Sequence, residues 1–150
     1  MEQVLINEDP LDAGALLSEF TNNFPAAGGI VNFSGQVRGE NGQVKTLFLS
    51  RYEPLTTRHI EDAVDRTIRR FDLHGVCVRH RVGLMSAGET IVFCAAAAAH
   101  RRAAFDACDF LMDYLKTNAI FWKREDGLDG SKWIEPREQD YKDSQRWSPL

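Results

Sequence analysis

The sequence predicts an α+β fold, in which a mixed, mostly antiparallel sheet packs against two main helices. The first observation is that apolar residues recur at helical spacing in two long stretches, 57–71 and 101–117. The second is that shorter segments with the apolar patterns of strands come in pairs around turn residues, separated by single helices. The length of 150 residues suits one domain, 1–150.

The first third of the chain predicts a helix, a strand, a turn and a second strand. A short helix over 11–21 is predicted from apolar residues at helical spacing, namely Leu11, Leu16, Leu17 and Phe20. A loop of turn formers follows, and the alternating segment 30–38 predicts a strand. Asn41-Gly42 favours a hairpin turn, so 44–53 is predicted to return beside that strand.

The middle of the chain predicts the first main helix and a half-exposed strand. Thr56 or Thr57 is predicted to cap a helix that runs to about Phe71. One face of this helix carries the apolar residues Ile60, Val64, Ile68 and Phe71. The segment 75–83 alternates apolar and polar residues, which is typical of a strand with one exposed face, and 85–89 predicts a turn.

The last third predicts a buried strand, the second main helix and a pair of short strands. The segment 90–99 is apolar on both faces, which indicates a central strand covered on both sides. Residues 101–117 predict a helix with an apolar face of Ala104, Cys108, Leu111 and Leu115. Two short strands are predicted at 119–126 and 131–136, and 138–150 is expected to be a polar surface tail.

Charge and composition narrow the possible functions. The net charge of −4 argues against binding to a nucleic-acid backbone, but it leaves room for a local basic pocket. Cys77, Cys94 and Cys108 lie in apolar sequence without a CxxC pair, so we expect buried, reduced thiols and no metal site. The longest uncharged run is shorter than the ~20 residues that cross a bilayer. We therefore expect a cytoplasmic protein with no membrane contact and no cofactor.

Basic residues near the ends of predicted elements are the candidate functional residues. His100 and Arg101 stand at the predicted start of a helix, where free backbone N–H groups and the helix dipole favour an anion. Lys123 follows apolar residues in a predicted strand, where loss of solvation lowers a lysine pKa and makes the amine useful in catalysis. Lys116 lies near the end of the helix before it.

Each of these residues also has a simpler explanation. A lysine near a helix C-terminus, such as Lys116, suits the helix dipole. The Lys123 stem can lie over an aromatic ring with its amine in water. Arg38 and Arg137 can form solvated ion pairs with nearby carboxylates. The residues alone therefore predict an α+β domain with a basic pocket, and they leave the chemistry of that pocket open.

Three segments taken together resemble one known family. They are FSGQVR at 33–38, AHRRAAFDACDFLMDYLKTNAIFWKRE at 99–125 and GSKWIEPRE at 130–138. In this order they resemble the large, catalytic subunit of molybdopterin synthase over roughly residues 28–147. Residues 1–27 carry no signature of the family, and Gln36 stands where the family form of the first segment has a lysine.

The resemblance implies an enzyme, a fold and a set of partners. The implied fold is a single domain of the α/β-hammerhead type. The implied reaction moves sulfur from a thiocarboxylate at the C-terminal Gly-Gly of a small ubiquitin-like subunit to cyclic pyranopterin monophosphate. This transfer forms the dithiolene of molybdopterin in molybdenum cofactor biosynthesis. The implied assembly is a heterotetramer, in which a homodimer of large subunits carries one small subunit at each end.

The resemblance also implies roles for particular residues. Lys116 and Lys123 become the catalytic residues, which stabilise charge or exchange a proton as sulfur moves. The implied substrate-binding residues hold the phosphate and pterin or wall the pocket, and they are Arg38, His100, Arg101, Arg137, Phe33 and Met112. Because the predicted hairpin carries Arg38 near its tip, we expect it to reach a neighbouring protomer's pocket, with Arg38 or Arg137 as the donated group.

Two other functions fit the same residues. One is a binding module, in which the pocket captures an anion or a protein tail without turnover. The other is an enzyme that uses a desolvated Lys123 to form a Schiff base with a small carbonyl compound. Loss of sulfur from a thiocarboxylated partner separates the first from sulfur transfer, and borohydride trapping detects the second.

Overall fold

The structure, a computed structural model, describes residues 1, 3–118 and 121–148. Within these residues it contains four helices and eight strands that form two sheets, which confirms the predicted α+β class. In chain order the elements are β1 (Val4–Asn7), α1 (Ala13–Asn23), β2 (Gly29–Gln36), β3 (Val44–Arg51), α2 (Leu55–Phe71), β4 (Gly75–Arg81), β5 (Gly83–Ser86), β6 (Thr90–Ala98), α3 (Arg101–Asn118), β7 (Phe121–Gly127), β8 (Gly130–Ile134) and α4 (Glu138–Ser144).

The first sheet has the strand order β1-β4-β6-β2 and is covered on both faces around β6. Alternate residues of a strand point to opposite faces. Phe93, Ala95 and Ala97 pack with Phe20 of α1, whereas Cys94, Ala96 and Ala98 pack with the apolar faces of α2 and α3. The prediction of a central, doubly covered strand is therefore confirmed, and its small alanines let the helices pack close to the sheet.

The second sheet has the strand order β5-β3-β7-β8, and all its pairs are antiparallel. Its inner face carries a small core of Val37, Leu47, Leu49 and Met85. Phe121, at the start of β7, packs against this small core and against the main core of the first sheet. The sequence predicted a mostly antiparallel sheet, but it did not predict the division of the strands into two sheets.

The predicted hairpin between 30–38 and 44–53 is wrong. β2 pairs with β6 in the first sheet, whereas β3 pairs with β5 and β7 in the second. Asn41 and Gly42 do have positive φ angles of 57° and 86°, as a tight turn requires. A turn dipeptide specifies local backbone angles, and it does not specify which strand the chain pairs with next. This turn carries the chain from one sheet to the other.

Two further predictions about local structure are wrong, and a third is confirmed. The strand at 75–83 was expected to be half-exposed, but β4 lies inside the first sheet and is almost entirely buried. The turn predicted at 85–89 is present at residues 87–88, directly after β5, where the Glu89 N–H donates to the Ser86 carbonyl oxygen at 3.1 Å. Neither threonine caps α2, because the helix begins at Leu55, and Thr56 is fully buried with its Oγ1 accepting from the Tyr52 N–H at 2.9 Å.

The C-terminal segment 138–148 is an ordered structure that packs on α3. It forms α4 and a short 3-10 turn that ends at Trp147. The Trp147 ring meets the Phe110 ring edge-on at a centroid distance of 5.6 Å, and its Nε1 donates to Asp113 at 2.7 Å. A helix was not predicted here because the segment lacks a continuous apolar face. No helix in the described part of the chain is long and apolar enough to span a membrane.

Candidate functional site: a cationic cavity

A cavity of about 530 Å³ lies where the two sheets meet the end of α3. Its size falls in the range of small-molecule sites. Part of its wall is apolar and comes from strands of both sheets, including Val37, Leu47, Leu49, Ile91 and Val92. The predicted wall residues Phe33 and Met112 also line it, and Phe33 is 43% exposed. An apolar wall of this kind excludes water from one side of a bound ligand.

Lys116 and Lys123 both line this cavity. Lys116 lies in the last turn of α3, and Lys123 lies on β7 between Leu49 of β3 and Ile134 of β8. Alternation along β7 turns Phe121, Lys123 and Glu125 towards the cavity. The predicted strand began at residue 119, and residues 119 and 120 lie outside the described residues.

The environment of Lys123 disfavours its charged form. Burial lowers the pKa of the Lys123 amine below its usual value, and the positive charge of Lys116 lowers it further. Glu125 opposes this effect because its negative charge raises the same pKa. Lys123 is therefore a partly desolvated amine that gives up its proton more readily than a surface lysine does.

Arg38 and Arg137 add two guanidinium groups to the same wall. Arg38 follows β2 and forms an ion pair with Glu40 at 3.4 Å, and Arg137 forms one with Asp140 at 3.5 Å. The side chains of both arginines remain about two-thirds exposed, at 72% and 68%. Together with Lys116 and Lys123 they make a local excess of positive charge in a chain whose net charge is −4.

His100 and Arg101 do not line this cavity, although both were predicted to hold the same substrate. His100 immediately precedes α3 and Arg101 is its first residue, whereas Lys116 lies near its last residue. At 1.5 Å per residue, Arg101 and Lys116 are about 22 Å apart along the helix axis. One small anion cannot contact both ends of this helix within a single chain.

The expectation that Arg38 or Arg137 is donated to a neighbouring protomer was based on a hairpin that does not form. Both arginines line the cavity of their own chain together with Lys116 and Lys123. Arg38 lies in the connection from β2 of the first sheet to β3 of the second, and Arg137 lies between β8 and α4. Of the six cationic residues predicted for the site, His100 and Arg101 are the two that lie outside this cavity.

His80 lines the cavity and was missed from the sequence. Its ring stacks on Phe121 with a centroid distance of 4.2 Å, and its Nδ1 donates to the carbonyl oxygen of Arg81 at 3.0 Å. Burial, together with the charges of Lys116 and Lys123, lowers the pKa of His80 to about 4. The available signal was its position on the apolar face of 75–83, where a polar side chain needs a specific reason to be.

Three carboxylates complete the polar wall, and they are Glu125, Glu135 and Asp140. In the described part of the chain no group of three or more metal-ligating side chains comes together. Cys77, Cys94 and Cys108 are buried free thiols away from the cavity wall. The fold and the cavity define an α+β protein with a cationic ligand cavity.

Comparison with known proteins identifies the family of this chain. The model of the MoaE protein family matches residues 6–118, so the chain belongs to that family. The molybdopterin synthase catalytic subunit of Caulobacter vibrioides is 44% identical over 144 residues, which cover 96% of each protein. These matches confirm the resemblance that the three sequence segments indicated, and the match of the family model begins within β1, in the region where no signature was seen.

Solved structures agree with this assignment. The molybdopterin biosynthesis MoaE protein from Burkholderia ambifaria has a TM-score of 0.84 at 34% identity, covering 100% of both chains. A chain from the protein–protein complex of subunits 1 and 2 of molybdopterin-converting factor from Helicobacter pylori has a TM-score of 0.76 at 21% identity, covering 92% of both chains. At that identity the likeness establishes the fold.

Proposed function

We propose that this protein is the catalytic subunit of a molybdopterin synthase, in which the chain from 1 to 150 acts as one domain in the cytoplasm. It transfers sulfur from the C-terminal thiocarboxylate of a small ubiquitin-like subunit to cyclic pyranopterin monophosphate. One observation carries the proposal. Lys116, Lys123, Arg38 and Arg137 come from four separate parts of the chain and line one cavity, and Lys123 is partly desolvated.

The cavity has the charges that this reaction requires. Both substrates are anions, since one ends in a thiocarboxylate and the other carries a cyclic phosphate. Arg38 and Arg137 present forked N–H donors, which match the geometry of phosphate oxygens. Lys116 and Lys123 stabilise the negative charge that develops as sulfur leaves the carrier and oxygen leaves the pterin. Fixed charges beside an apolar wall stabilise a transition state more strongly than the same charges do in water.

The partner proposal follows from the shape of the same cavity. A C-terminal Gly-Gly has no side chains, so it enters a cavity of about 530 Å³ and leaves room for a second small molecule. The Helicobacter pylori protein, which shares this fold, is described as a complex of two subunits. We expect one small subunit for each copy of this chain, and hence a heterotetramer built on a homodimer.

His100 and Arg101 act in this proposal across the homodimer. They lie about 22 Å from Lys116 along α3, and Arg101 is exposed. In the proposed homodimer the start of α3 of one copy lies at the cavity of the other, and a two-fold axis makes this contact the same in both directions. In this arrangement His100 and Arg101 of one copy bind the substrate in the cavity of the other copy.

A complementation experiment tests this arrangement. Lys116→Ala and Arg101→Ala chains, each impaired alone, are mixed under conditions in which protomers exchange. One of the two sites in a mixed dimer then has an intact Lys116 and an intact Arg101, so activity recovers in part. A mixture of Lys116→Ala with Lys123→Ala is the control, because both lysines lie in the same chain's cavity and neither site is restored. No recovery in the first mixture, despite proven exchange, rules out donation by Arg101.

Reconstitution tests the function itself. The purified chain is mixed with a thiocarboxylated ubiquitin-like partner and cyclic pyranopterin monophosphate, and the pterin product is analysed for a dithiolene. Dithiolene formation that depends on this chain is the expected result. If the three components bind one another but sulfur stays on the partner, the cavity is a binding module and the proposed activity is wrong.

A further inference from the structure

Asp140 is a buried carboxylate in the wall of the cavity, and the proposed reaction assigns it no part. It is 9% exposed, and in the described part of the chain it is the only buried Asp or Glu. A buried carboxylate loses hydration, so it is retained only where it has strong partners. Its partners therefore indicate what it does.

The carboxylate of Asp140 holds Arg137 at two points. Asp140 Oδ2 accepts from the Arg137 backbone N–H at 2.8 Å, and Asp140 Oδ1 lies 3.5 Å from Arg137 Nη2. The first contact is part of a capping box at the start of α4, and the second is an ion pair that draws the guanidinium towards the carboxylate. Because the Arg137 side chain is still 68% exposed, it remains accessible to a ligand in the cavity.

The helix that carries Asp140 is anchored to α3. Arg146 pairs with Asp109 at 3.2 Å and also contacts Asp113, and the Trp147 ring packs edge-on against Phe110. Because these contacts fix α4, Asp140 is held at the cavity by a rigid element and not by a loop. Glu138, on the same helix, is exposed and pairs with Lys142 at 3.2 Å. Glu138 is therefore the control position for substitutions of Asp140.

Asp140 also contributes charge where the cavity has an excess of cations. It lines the same wall as Lys123, whose pKa is lowered first by burial and then by Lys116. The negative charges of Glu125 and Asp140 act in the opposite direction on that pKa. The charged and titratable groups that line the cavity together with Lys123 and Asp140 are Lys116, His80, Arg38, Glu125, Glu135 and Arg137.

We propose that Asp140 is a positioning residue of this site. It directs the Arg137 guanidinium into the cavity, and its negative charge favours the ammonium form of Lys123. The part that concerns turnover rests on the proposed function, since Arg137 and Lys123 affect a rate only if this cavity is where sulfur moves. The part that concerns charge is a property of the isolated chain and is measured without substrate.

Asp140→Asn is the first test, because an asparagine side-chain oxygen still accepts from the Arg137 N–H while the charge is lost. Lysines are labelled by reductive ¹³C-methylation, and the Lys123 signal is assigned with Lys123→Arg. Loss of the negative charge moves the titration of Lys123 to lower pH, since the ammonium form is then less stabilised. In the reconstituted enzyme, KM for the pterin rises on the order of tenfold as the guanidinium loses its charged partner. Glu138→Gln, which removes one charge from the same helix, changes neither value.

A second pair of variants covers the case in which Asp140→Asn does not fold. The variants are Asp140→Gln and Asp140→Glu. The Gln and Glu side chains are of the same size, and both residue types suit the third helical position of a capping box, which Asp140 occupies. Only Asp140→Gln is expected to move the titration of Lys123. An unchanged Lys123 titration in the neutral variants overturns the charge role of Asp140. A shifted titration in a chain that shows no sulfur transfer supports that role and refutes the proposed function separately.

Discussion

Within the described residues the two sheets have four strands each, but their faces are covered differently. The first sheet is covered by α1 on one face and by α2 and α3 on the other, and its central strand β6 is almost wholly buried. The second sheet covers the cavity with one face and exposes Trp122 and Trp133 on the other, where their rings meet edge-on at 6.4 Å. Most of the buried core therefore belongs to the first sheet and its helices, whereas the second sheet supplies Lys123 to the cavity.

The largest expected effect tests the structural half of this comparison. Phe93 of β6 is fully buried against α1, so Phe93→Ala should lower the free energy of unfolding by about 3–5 kcal/mol. Trp133→Ala on the second sheet, where the side chain is 58% exposed, should change it by roughly 1 kcal/mol or less. Urea denaturation of both variants measures the difference. Equal losses would mean that the second sheet contributes as much to stability as the first.

The next effect tests the chemical half. Lys123→Ala and Lys116→Ala should each lower turnover on the order of a hundredfold, because each removes a fixed charge from the transition state. Neither should lower the free energy of unfolding, since burial disfavours the charge on Lys123 and the Lys116 residue is exposed. Lys132→Ala is the matched control, because Lys132 lies on the neighbouring strand β8 and is exposed outside the cavity. Full activity in both cavity variants would favour the simpler explanation, in which Lys116 suits the helix dipole and the Lys123 amine lies in water.

A smaller effect separates the two ligands of the cavity. Arg137→Ala should weaken binding of the cyclic pterin by roughly tenfold and leave binding of the protein partner nearly unchanged, because one charged hydrogen-bonding group is lost. Arg101→Ala should do the same if a second copy supplies that residue. Calorimetric titrations with each ligand provide the comparison. Loss of partner affinity with pterin affinity intact would place the pterin elsewhere.

The last expected effect concerns pH. Folding lowers the pKa of His80 from about 6.5, its usual value, to about 4. The unfolded chain therefore binds more protons than the folded chain between these values. The stability that comes from keeping His80 neutral is fully present above pH 6.5 and is lost as the pH falls towards 4.

The sensitivity to acid should therefore be smaller in His80→Asn. Denaturation midpoints at pH 7 and pH 5 measure it, with His74→Asn at an exposed histidine as the control. If the two variants respond to acid as the wild type does, His80 does not carry this dependence.

The sequence predicted β6 and the main helices better than the pairing of the strands. The uninterrupted apolar run of β6 and the apolar face of α3 are local patterns, and burial follows from them directly. The pairing of β3 depends on which distant strands meet it, so the Asn41-Gly42 turn indicated a hairpin that does not form. His80 was missed because alternation alone does not distinguish a buried structural histidine from one that lines a cavity.

The candidate site was predicted in part for the same reason. Lys116, Lys123, Arg38 and Arg137 were identified by resemblance, and the structure brings all four to one cavity. His100 and Arg101 belong to the same segment as Lys116, but the length of a helix separates them, and sequence proximity concealed that distance. Asp140 carried no signal, because a carboxylate in a polar segment is normally solvated.

The central claim is that the lysines of the second sheet and α3 move sulfur, and a single-turnover reaction tests it most directly. The chain, in excess over a thiocarboxylated partner and cyclic pyranopterin monophosphate, is quenched at intervals. Mass spectrometry then follows the partner's C-terminus as thiocarboxylate is converted to carboxylate. The account predicts rapid conversion with the wild type and with Lys132→Ala, and conversion on the order of a hundredfold slower with Lys123→Ala. Equal rates in all three proteins, or no conversion with the wild type, would contradict it.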